Sequence, residues 1–227
     1  MDDKTNQEII EIRENKRVSN FNTIESYKTL RTNLLYTDNL KVITITSTVP
    51  EEGKTVTAFN LAESYAQMGK KVLLIDCDLR KSTLRKFLVL RKTLPGLSEV
   101  LTRQTSNVIT KTNVNNLFMV LSGKVPPNPS ELLSSKAFED VIHQLKANFD
   151  YIIIDTPPLN VALDAAIVGR ISDGVVLVVR NDFVRKKEVK RAKNQLERNG
   201  SRIVGVVLNR VKKNQADYQS YGYYGYR

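Results

Sequence analysis

The sequence predicts an α/β domain with three layers, in which helices cover both faces of a mostly parallel central sheet. Two observations carry this prediction. Short β-rich segments alternate with helical segments along the chain, and the β-rich segments are apolar almost throughout. Continuously apolar strands are typical of a sheet buried on both faces, and β–α alternation places neighbouring strands in parallel. A length of 227 residues allows one such domain and is too short for two ordinary ones.

Each element follows from its local pattern. The predicted strands are Lys41–Ser47, Lys71–Asp76, Leu117–Leu121, Tyr151–Asp155, Gly174–Val179 and Ile203–Asn209. The predicted helices, where apolar side chains recur every three or four residues, are Asn22–Tyr36, Lys54–Met68, Ser130–Ala147, Asn160–Ile171 and Val184–Asn199. Residues 1–21 are polar and are predicted to form a flexible arm. Residues 22–214 are predicted to form the folded domain.

Composition narrows the classes of partner. Lys and Arg number 35 against 24 Asp and Glu, so the formal net charge is +11, which favours anionic partners. The single cysteine, Cys77, excludes an internal disulfide and fits a reducing, cytoplasmic setting. No apolar run approaches the roughly 20 residues that a membrane-spanning helix needs. We therefore expect another protein to hold this chain at a membrane, if it works there.

A phosphate-binding loop is predicted between the first strand of this pattern and the helix that follows it. Residues Ser47–Thr55 read STVPEEGKT, and a strand–loop–helix context is the one that such a loop requires. Lys54 is expected to contact the β- and γ-phosphates, and Thr55 to offer its hydroxyl to Mg²⁺. The carboxylates of Glu51 and Glu52 are expected to point outward. The nucleotide-binding residues predicted in this loop are Glu52, Gly53, Lys54, Thr55 and Val56.

Three aspartates stand where apolar strands end. Asp76 and Asp78 follow one strand, and Asp155 ends another and is followed by Thr-Pro-Pro. Ligands of α/β proteins bind at the carboxyl ends of parallel strands. One carboxylate of the pair can hold Mg²⁺ and the other can accept a proton, while Asp155 is expected to reach the metal.

The last residues of the chain, 215–227, have a different composition and are predicted to form a flexible, exposed tail. Five of the nine tyrosines are found there. They are Tyr218, Tyr221, Tyr223, Tyr224 and Tyr226.

Together these features resemble the bacterial tyrosine kinases (BY-kinases) that regulate capsular and exopolysaccharide synthesis. That family has a loop S-x-x-P-x-E-G-K-[ST], a strand ending in D-x-D-x-R, a strand ending in D-T-P-P and a tyrosine-rich C-terminus. All four stand here, the second as Asp76/Asp78/Arg80. In the family glycine is common at the position of Glu51. The resemblance covers nearly the whole chain and implies a P-loop NTPase fold.

The resemblance also implies an activity. It indicates a protein-tyrosine kinase that uses ATP and Mg²⁺ and autophosphorylates the C-terminal tyrosines, in trans within an oligomer. Asp76 is expected to orient or deprotonate the acceptor hydroxyl, although the sequence alone does not order the roles of the three aspartates. The predicted catalytic residues are Lys54, Asp76, Asp78 and Asp155. The predicted metal ligands are Thr55, Asp78 and Asp155. The predicted phosphoacceptors are the five tail tyrosines.

Partners follow from the same resemblance. The family's oligomerisation helix carries E-x-x-R-x-x-R-T-N, and here Glu25, Lys28 and Arg31 occupy the charged positions. Lysine at position 28 keeps the charge and loses the planar guanidinium. In the family, charged residues of this helix pair across subunits to close a ring, so the resemblance implies a homo-oligomer for which a ring is possible. A kinase without its own membrane span resembles the split arrangement of Gram-positive bacteria. That arrangement implies a membrane-bound activator whose cytoplasmic tail completes the nucleotide site, and a phosphotyrosine phosphatase.

Two further features stay open. Asn209 and Arg210 end the last predicted strand. In related P-loop ATPases an Asn-Arg pair at this point lines the adenine; the alternative is a strand that simply ends in polar residues. The predicted helix Val184–Asn199 has a basic face that is either simply solvated or contacts anionic lipid or an acidic partner. Aromatic residues do not interleave with these charges, so nucleic acid is not expected. The basic residues of this helix are Arg185, Lys186, Lys187, Lys190, Arg191 and Lys193.

Two other functions compete with a kinase. One is a partition- or division-type ATPase switch, which needs no tyrosine cluster and usually carries a lysine early in its phosphate loop, where Thr46–Thr48 have none. The other is a non-catalytic subunit of a polysaccharide export complex that binds ATP only to assemble. Transfer of phosphate to the tail distinguishes the kinase from both.

Overall fold

A computed structural model describes residues 9–14, 20–90 and 92–211, and in these residues nine strands form one sheet. The strands are β1 (Ile9–Ile12), β2 (Val42–Ser47), β3 (Val72–Asp76), β4 (Leu88–Val89), β5 (Thr110–Thr112), β6 (Leu117–Val120), β7 (Tyr151–Asp155), β8 (Gly174–Arg180) and β9 (Ile203–Asn209). The helices are α1 (Phe21–Leu35), α2 (Lys54–Gln67), α3 (Leu97–Leu101), α4 (Pro129–Ser134), α5 (Lys136–Asn148), α6 (Asp164–Ile171) and α7 (Lys186–Arg198).

The sheet has the predicted three-layer arrangement. Its strand order is β4-β1-β5-β6-β3-β7-β2-β8-β9, and the pairs that join β6, β3, β7, β2, β8 and β9 are all parallel. Helices α1 and α2 pack on one face, and α3, α5, α6 and α7 pack on the other. Strands β2 and β3 are buried along their whole length, as their continuous apolar character predicted.

One edge of the sheet was missed by the sequence pattern. The segment Ile9–Ile12, predicted to belong to a flexible arm, forms β1, which pairs in parallel with β5 and antiparallel with β4. Its side chains Ile10 and Ile12 are buried. Strands of two to four residues carry too little periodicity to be recognised, and their burial depends on partners that are distant in sequence. Residues 1–8 and 15–19 of the predicted arm lie outside the described residues, as does the predicted tail 215–227 with all five acceptor tyrosines.

The helix predicted over Ser130–Ala147 is two helices. The chain leaves the helical conformation at Ser135, whose φ and ψ are −74° and 152°. The Ser135 hydroxyl accepts a hydrogen bond from the Phe138 N–H at 3.3 Å and so caps α5. Among the described residues, no helix combines the length and the apolar character needed to cross a membrane.

The order β3-β7-β2 determines where the site lies. These three strands are adjacent and parallel, so their carboxyl ends meet at one edge of the sheet. Asp76 and Asp155 are direct partners in the β3–β7 register. The phosphate-loop segment leaves β2 at the same edge and leads into α2. The predicted catalytic groups are therefore brought together by strand order alone.

Candidate active site

The phosphate loop closes on a glycine that no other residue could replace without strain. Gly53 precedes α2 with φ of +97°, a left-handed conformation. A Cβ built there would lie 2.1 Å from the Asn209 amide nitrogen. That amide donates a hydrogen bond to the Glu52 carbonyl oxygen at 2.8 Å. Asn209, predicted to line the adenine, therefore ties the end of β9 to the loop.

Glu52 corrects one expectation. Its carboxylate was predicted to point outward, but the residue is fully buried. The carboxylate accepts hydrogen bonds from the Val49 N–H at 2.8 Å and from the Arg180 N–H at 3.1 Å. It therefore turns away from the phosphate cradle and joins the loop to the end of β8. Two backbone N–H donors give the buried carboxylate the partners that water would otherwise supply.

Glu51 carries the backbone strain of the loop. Its φ is +67°, in the left-handed region that a side chain with a Cβ disfavours by about 1–2 kcal/mol. The side chain is exposed. This geometry explains why glycine suits the position.

We expect Glu51→Gly to raise the free energy of unfolding by about 0.5–1 kcal/mol, because relief of the left-handed strain exceeds the added entropy of the unfolded chain. Denaturant unfolding curves of the full chain measure this change in the free energy of unfolding. Glu51→Ala is the matched control, since it removes the same carboxylate and keeps the Cβ. An equal gain in both variants would show that charge, and not backbone strain, is responsible.

Lys54 lies among the aspartates. Its Nζ is 3.5 Å from an Asp155 oxygen and 3.7 Å from an Asp78 oxygen, and it donates to the Thr55 hydroxyl at 3.1 Å. Burial by itself would lower the pKa of the Lys54 ammonium, but the charges of Asp155, Asp78 and Asp76 outweigh burial and raise that pKa. The group is therefore a fixed positive charge at the edge where phosphates are expected.

Asp76 is a buried carboxyl in an environment that favours its proton. Burial and the nearby charge of Asp155 raise the pKa of Asp76 to about 7, although a hydrogen bond from the Ser82 hydroxyl opposes the shift. The Asp78 N–H also donates to Asp76, at 3.1 Å. A carboxyl poised near neutrality and already accepting from a hydroxyl is suited to general-base chemistry.

The residues predicted to hold a metal ion fit one. One carboxylate oxygen of Asp155 is buried and has no hydrogen-bond partner. Burial raises the pKa of Asp155, and the Lys54 ammonium opposes that shift. Among the described residues, no group of three or more acidic, cysteine or histidine side chains could hold a metal by itself. Mg²⁺ commonly takes one or two carboxylates and completes its shell with phosphate and water, for which Asp155, Asp78 and the Thr55 hydroxyl suffice.

A cleft of about 520 Å³ opens over these groups. Of the residues predicted to bind nucleotide, the cleft is lined by Gly53, Lys54, Thr55, Val56 and Arg210 but not by Glu52 or Asn209. Asp78, a predicted metal ligand, also lines it. Additional cations on its wall are Arg80, Lys81 and Lys86. The cleft is thus an electropositive cavity built around the phosphate loop, which suits a nucleoside polyphosphate.

The sequence motif gave no role to Arg80, and in the structure its side chain is held by Asp164 and Ser130. The guanidinium donates to the buried carboxylate of Asp164 at 2.9 and 3.3 Å and to the Ser130 hydroxyl at 2.8 Å. Ser130 also hydrogen-bonds Asp164, at 2.5 Å. Asp164 lies on α6 and carried no sequence motif. This network fixes the segment after Asp78 against α4 and α6.

The predicted oligomerisation residues lie on α1, away from the cleft. Lys28 and Glu25 form an ion pair with each other at 2.8 Å. Arg31 donates to the Ser64 carbonyl oxygen on α2 at 2.7 Å, and its Nε is buried without a hydrogen-bond partner. Within one chain, Arg31 therefore links α1 to α2, whereas the Glu25–Lys28 pair lies within α1.

The fold and the site together define a P-loop NTPase. A family model described as an AAA domain matches residues 40–199. The chain is 46% identical over 204 residues to the tyrosine-protein kinase CpsD of Streptococcus pneumoniae, which covers 88% of this chain and 90% of that protein. The chain therefore belongs to the bacterial tyrosine kinases (BY-kinases), and it is a protein-tyrosine kinase.

Solved structures agree with this assignment. The kinase domain of the Escherichia coli tyrosine kinase ETK superposes with a TM-score of 0.81 at 34% identity, covering 85% of this chain and 77% of that one. The septum site-determining protein MinD of Pyrococcus horikoshii, complexed with Mg-ADP, is more distant, with a TM-score of 0.64 at 25% identity over 78% of this chain and 72% of that one. A division-type ATPase, the competing enzyme class, thus shares the fold at a lower level of similarity than the kinase domain.

Proposed function

We propose that this kinase transfers the γ-phosphoryl group of ATP, bound with Mg²⁺, to tyrosines of the C-terminal cluster. The observation that supports the proposal most directly is Asp76, a buried carboxyl that accepts from a hydroxyl beside the Lys54 ammonium. The two groups that phosphoryl transfer needs, a proton acceptor and a fixed cation, are neighbours at one edge of the sheet.

The chemical step follows from these positions. The tyrosine hydroxyl oxygen forms a bond to the γ-phosphorus while the bond to the β–γ bridging oxygen breaks, and ADP leaves. Asp76 takes the hydroxyl proton, which helps because a free tyrosine has a pKa near 10. Lys54 and the loop N–H groups stabilise charge on the phosphoryl oxygens. Mg²⁺, held by Thr55, Asp78 and Asp155, would neutralise charge on the β- and γ-phosphates.

The acceptors that we propose are Tyr218, Tyr221, Tyr223, Tyr224 and Tyr226, presented to a neighbouring subunit of a ring. Each phosphate adds roughly −1.5 to −2 charges, and several of them would repel neighbouring tails and loosen the ring. We assign the protein to capsular or exopolysaccharide synthesis at the inner face of the membrane. There a membrane-bound activator would recruit it and a phosphotyrosine phosphatase would reverse the reaction. Kinase family membership supports this assignment.

Intact mass spectrometry after incubation with Mg-ATP tests the acceptor sites. The assay includes membranes of the source organism, so that a membrane-bound activator is present. We expect mass gains of several phosphoryl groups in the natural chain and none in a variant with all five tail tyrosines changed to phenylalanine. Tyr36→Phe, at the exposed tyrosine that follows α1, is the matched control and should behave as the natural chain does.

Two results would contradict the proposal. Equal mass gain in the five-fold phenylalanine variant would place the acceptors elsewhere. Steady release of inorganic phosphate with no mass gain would favour an ATPase switch over autophosphorylation.

A further inference from the structure

One flank of α7 is a continuous cationic and amide surface, which we call the α7 stripe. Its residues recur at helical spacing and line a single shallow surface groove. They are Lys187, Lys190, Arg191, Asn194, Gln195, Arg198 and Asn199. The opposite side of the helix, with Ala192 and Leu196, is buried against the sheet. The stripe therefore faces outward along the whole helix.

The positive charge of the stripe is mostly uncompensated. Arg191 pairs with Glu188 at 3.3 Å. Lys187, Lys190 and Arg198 form no ion pair with any described residue, and all three are exposed. Within the described part of the chain, the only acidic side chains of α7 are Glu188 and Glu197, and Glu197 pairs with Lys193. The stripe therefore lacks counter-charges among the described residues, and a ligand with several negative charges would supply them.

The C-terminal segment begins within reach of the stripe. Strands β8 and β9 are parallel, with Arg180 opposite Asn209, so β9 ends at the edge of the sheet from which the chain enters α7. The thirteen residues of α7 make it about 20 Å long. The stretch from Val211 to Tyr218 spans at most about 25 Å when extended. The chain that carries Tyr218 and the later tyrosines is therefore long enough to span the length of α7.

We propose that the α7 stripe binds the C-terminal segment of this chain after its tyrosines are phosphorylated. This inference rests on the proposed autophosphorylation, which supplies the ligand. Lys and Arg side chains donate charge-assisted hydrogen bonds to phosphate oxygens, and the amides of Asn194 and Gln195 add neutral donors. The unmodified segment carries Lys212, Lys213 and Arg227 against the single acidic side chain of Asp217, so it lacks the negative charge to bind.

The stripe suits a phosphopeptide better than a bilayer. Helices that lie on membranes expose an apolar face to the acyl chains, whereas the apolar side of α7 is packed on the sheet. The stripe contains no aliphatic or aromatic residue. The C-terminal segment is also tethered to the same chain, so its effective concentration at the stripe is high. Docking would hold a phosphorylated tail on its own subunit and keep it out of a neighbour's cleft.

Binding is measured with a synthetic peptide of residues 212–227 that carries phosphotyrosine at positions 218, 221 and 224. The full-length Lys54→Met protein serves as receptor, because it stays unphosphorylated and its own tail does not compete. Fluorescence anisotropy should show salt-sensitive binding of this peptide and no binding of the unphosphorylated one. Because the peptide is made synthetically, the result does not depend on whether the kinase phosphorylates itself.

A charge-matched pair of variants locates the site. In K187Q/K190Q/R198Q, added to the Lys54→Met receptor, we expect the dissociation constant to rise by roughly tenfold or more, since several charge-assisted contacts are lost. The control K70Q/R103Q/K111Q removes the same number of exposed cations elsewhere and should leave binding unchanged. Equal weakening in both variants would show that binding depends only on the net charge of the protein, and it would overturn the assignment of the binding site to the α7 stripe.

Two other outcomes would overturn the proposal. One is absence of phosphopeptide binding. That result would overturn docking on the stripe, whereas autophosphorylation is tested separately by the mass measurement. The other is stripe-dependent binding of phosphatidylglycerol vesicles without phosphopeptide binding, which would identify a membrane as the ligand.

Discussion

Substituting Lys54→Met is expected to reduce the rate of tyrosine phosphorylation by about 10²–10³-fold, the usual loss when a fixed electrostatic group is removed from a transition state. The Lys54 ammonium is buried within 4 Å of Asp78 and Asp155 and lies at the start of α2, where the phosphates are expected. Methionine keeps an unbranched side chain of similar size, and it removes the charge together with the hydrogen bonds that the ammonium donates. Initial rates with saturating Mg-ATP, followed by intact mass, measure the effect.

Lys81→Met is the matched control for this prediction. Lys81 lines the same cleft but is exposed, and its contact with Asp78 is a hydrogen bond from its backbone N–H, which the substitution keeps. We expect a much smaller loss in this variant. A similar loss in both variants, or a Lys54→Met protein that keeps its rate, would show that general electropositivity of the cleft is sufficient for transfer.

Asp76→Asn is expected to lower the rate by about 10²–10⁴-fold, because the amide cannot accept the tyrosine proton. The same variant should be more stable than the natural protein when metal and nucleotide are absent. Burial, together with the charge of Asp155, raises the pKa of Asp76 from 3.8 to about 7 in the folded chain. Keeping this carboxylate charged therefore opposes folding, and an active-site group is retained at the expense of stability.

The sign of this effect determines its pH dependence. Between pH 4 and pH 7, roughly, the folded chain keeps a proton on Asp76 that the unfolded chain has lost, so stability falls as the pH rises through this window. We expect the stabilisation by Asp76→Asn to reach about 4 kcal/mol at pH 8 and to vanish near pH 4. Urea melts in chelator at both pH values measure it. A stabilisation that is independent of pH would indicate a packing effect instead.

Much of the site could be predicted because its signals are local. The Gly53-Lys54-Thr55 loop, the Asp76/Asp78 pair and Asp155 each follow an apolar strand, and a parallel sheet places the carboxyl ends of its strands at one edge. The structure brings these groups together as expected, and Arg210 and Val56 line the same cleft. The acceptor tyrosines and the ring contacts stay predictions, since the former lie outside the described residues and the latter require a second chain.

The amino-acid sequence by itself determined the fold class, the central strands and the chemical groups of the site, because periodicity and motif spacing are properties of neighbouring residues. Only the tertiary structure decided features that depend on partners distant in the chain. Glu52 turns inward because the Val49 and Arg180 N–H groups receive its carboxylate. Ile9–Ile12 becomes a strand because β4 and β5 flank it. Arg80 acquires a role because Asp164, far along the chain, is buried beside it.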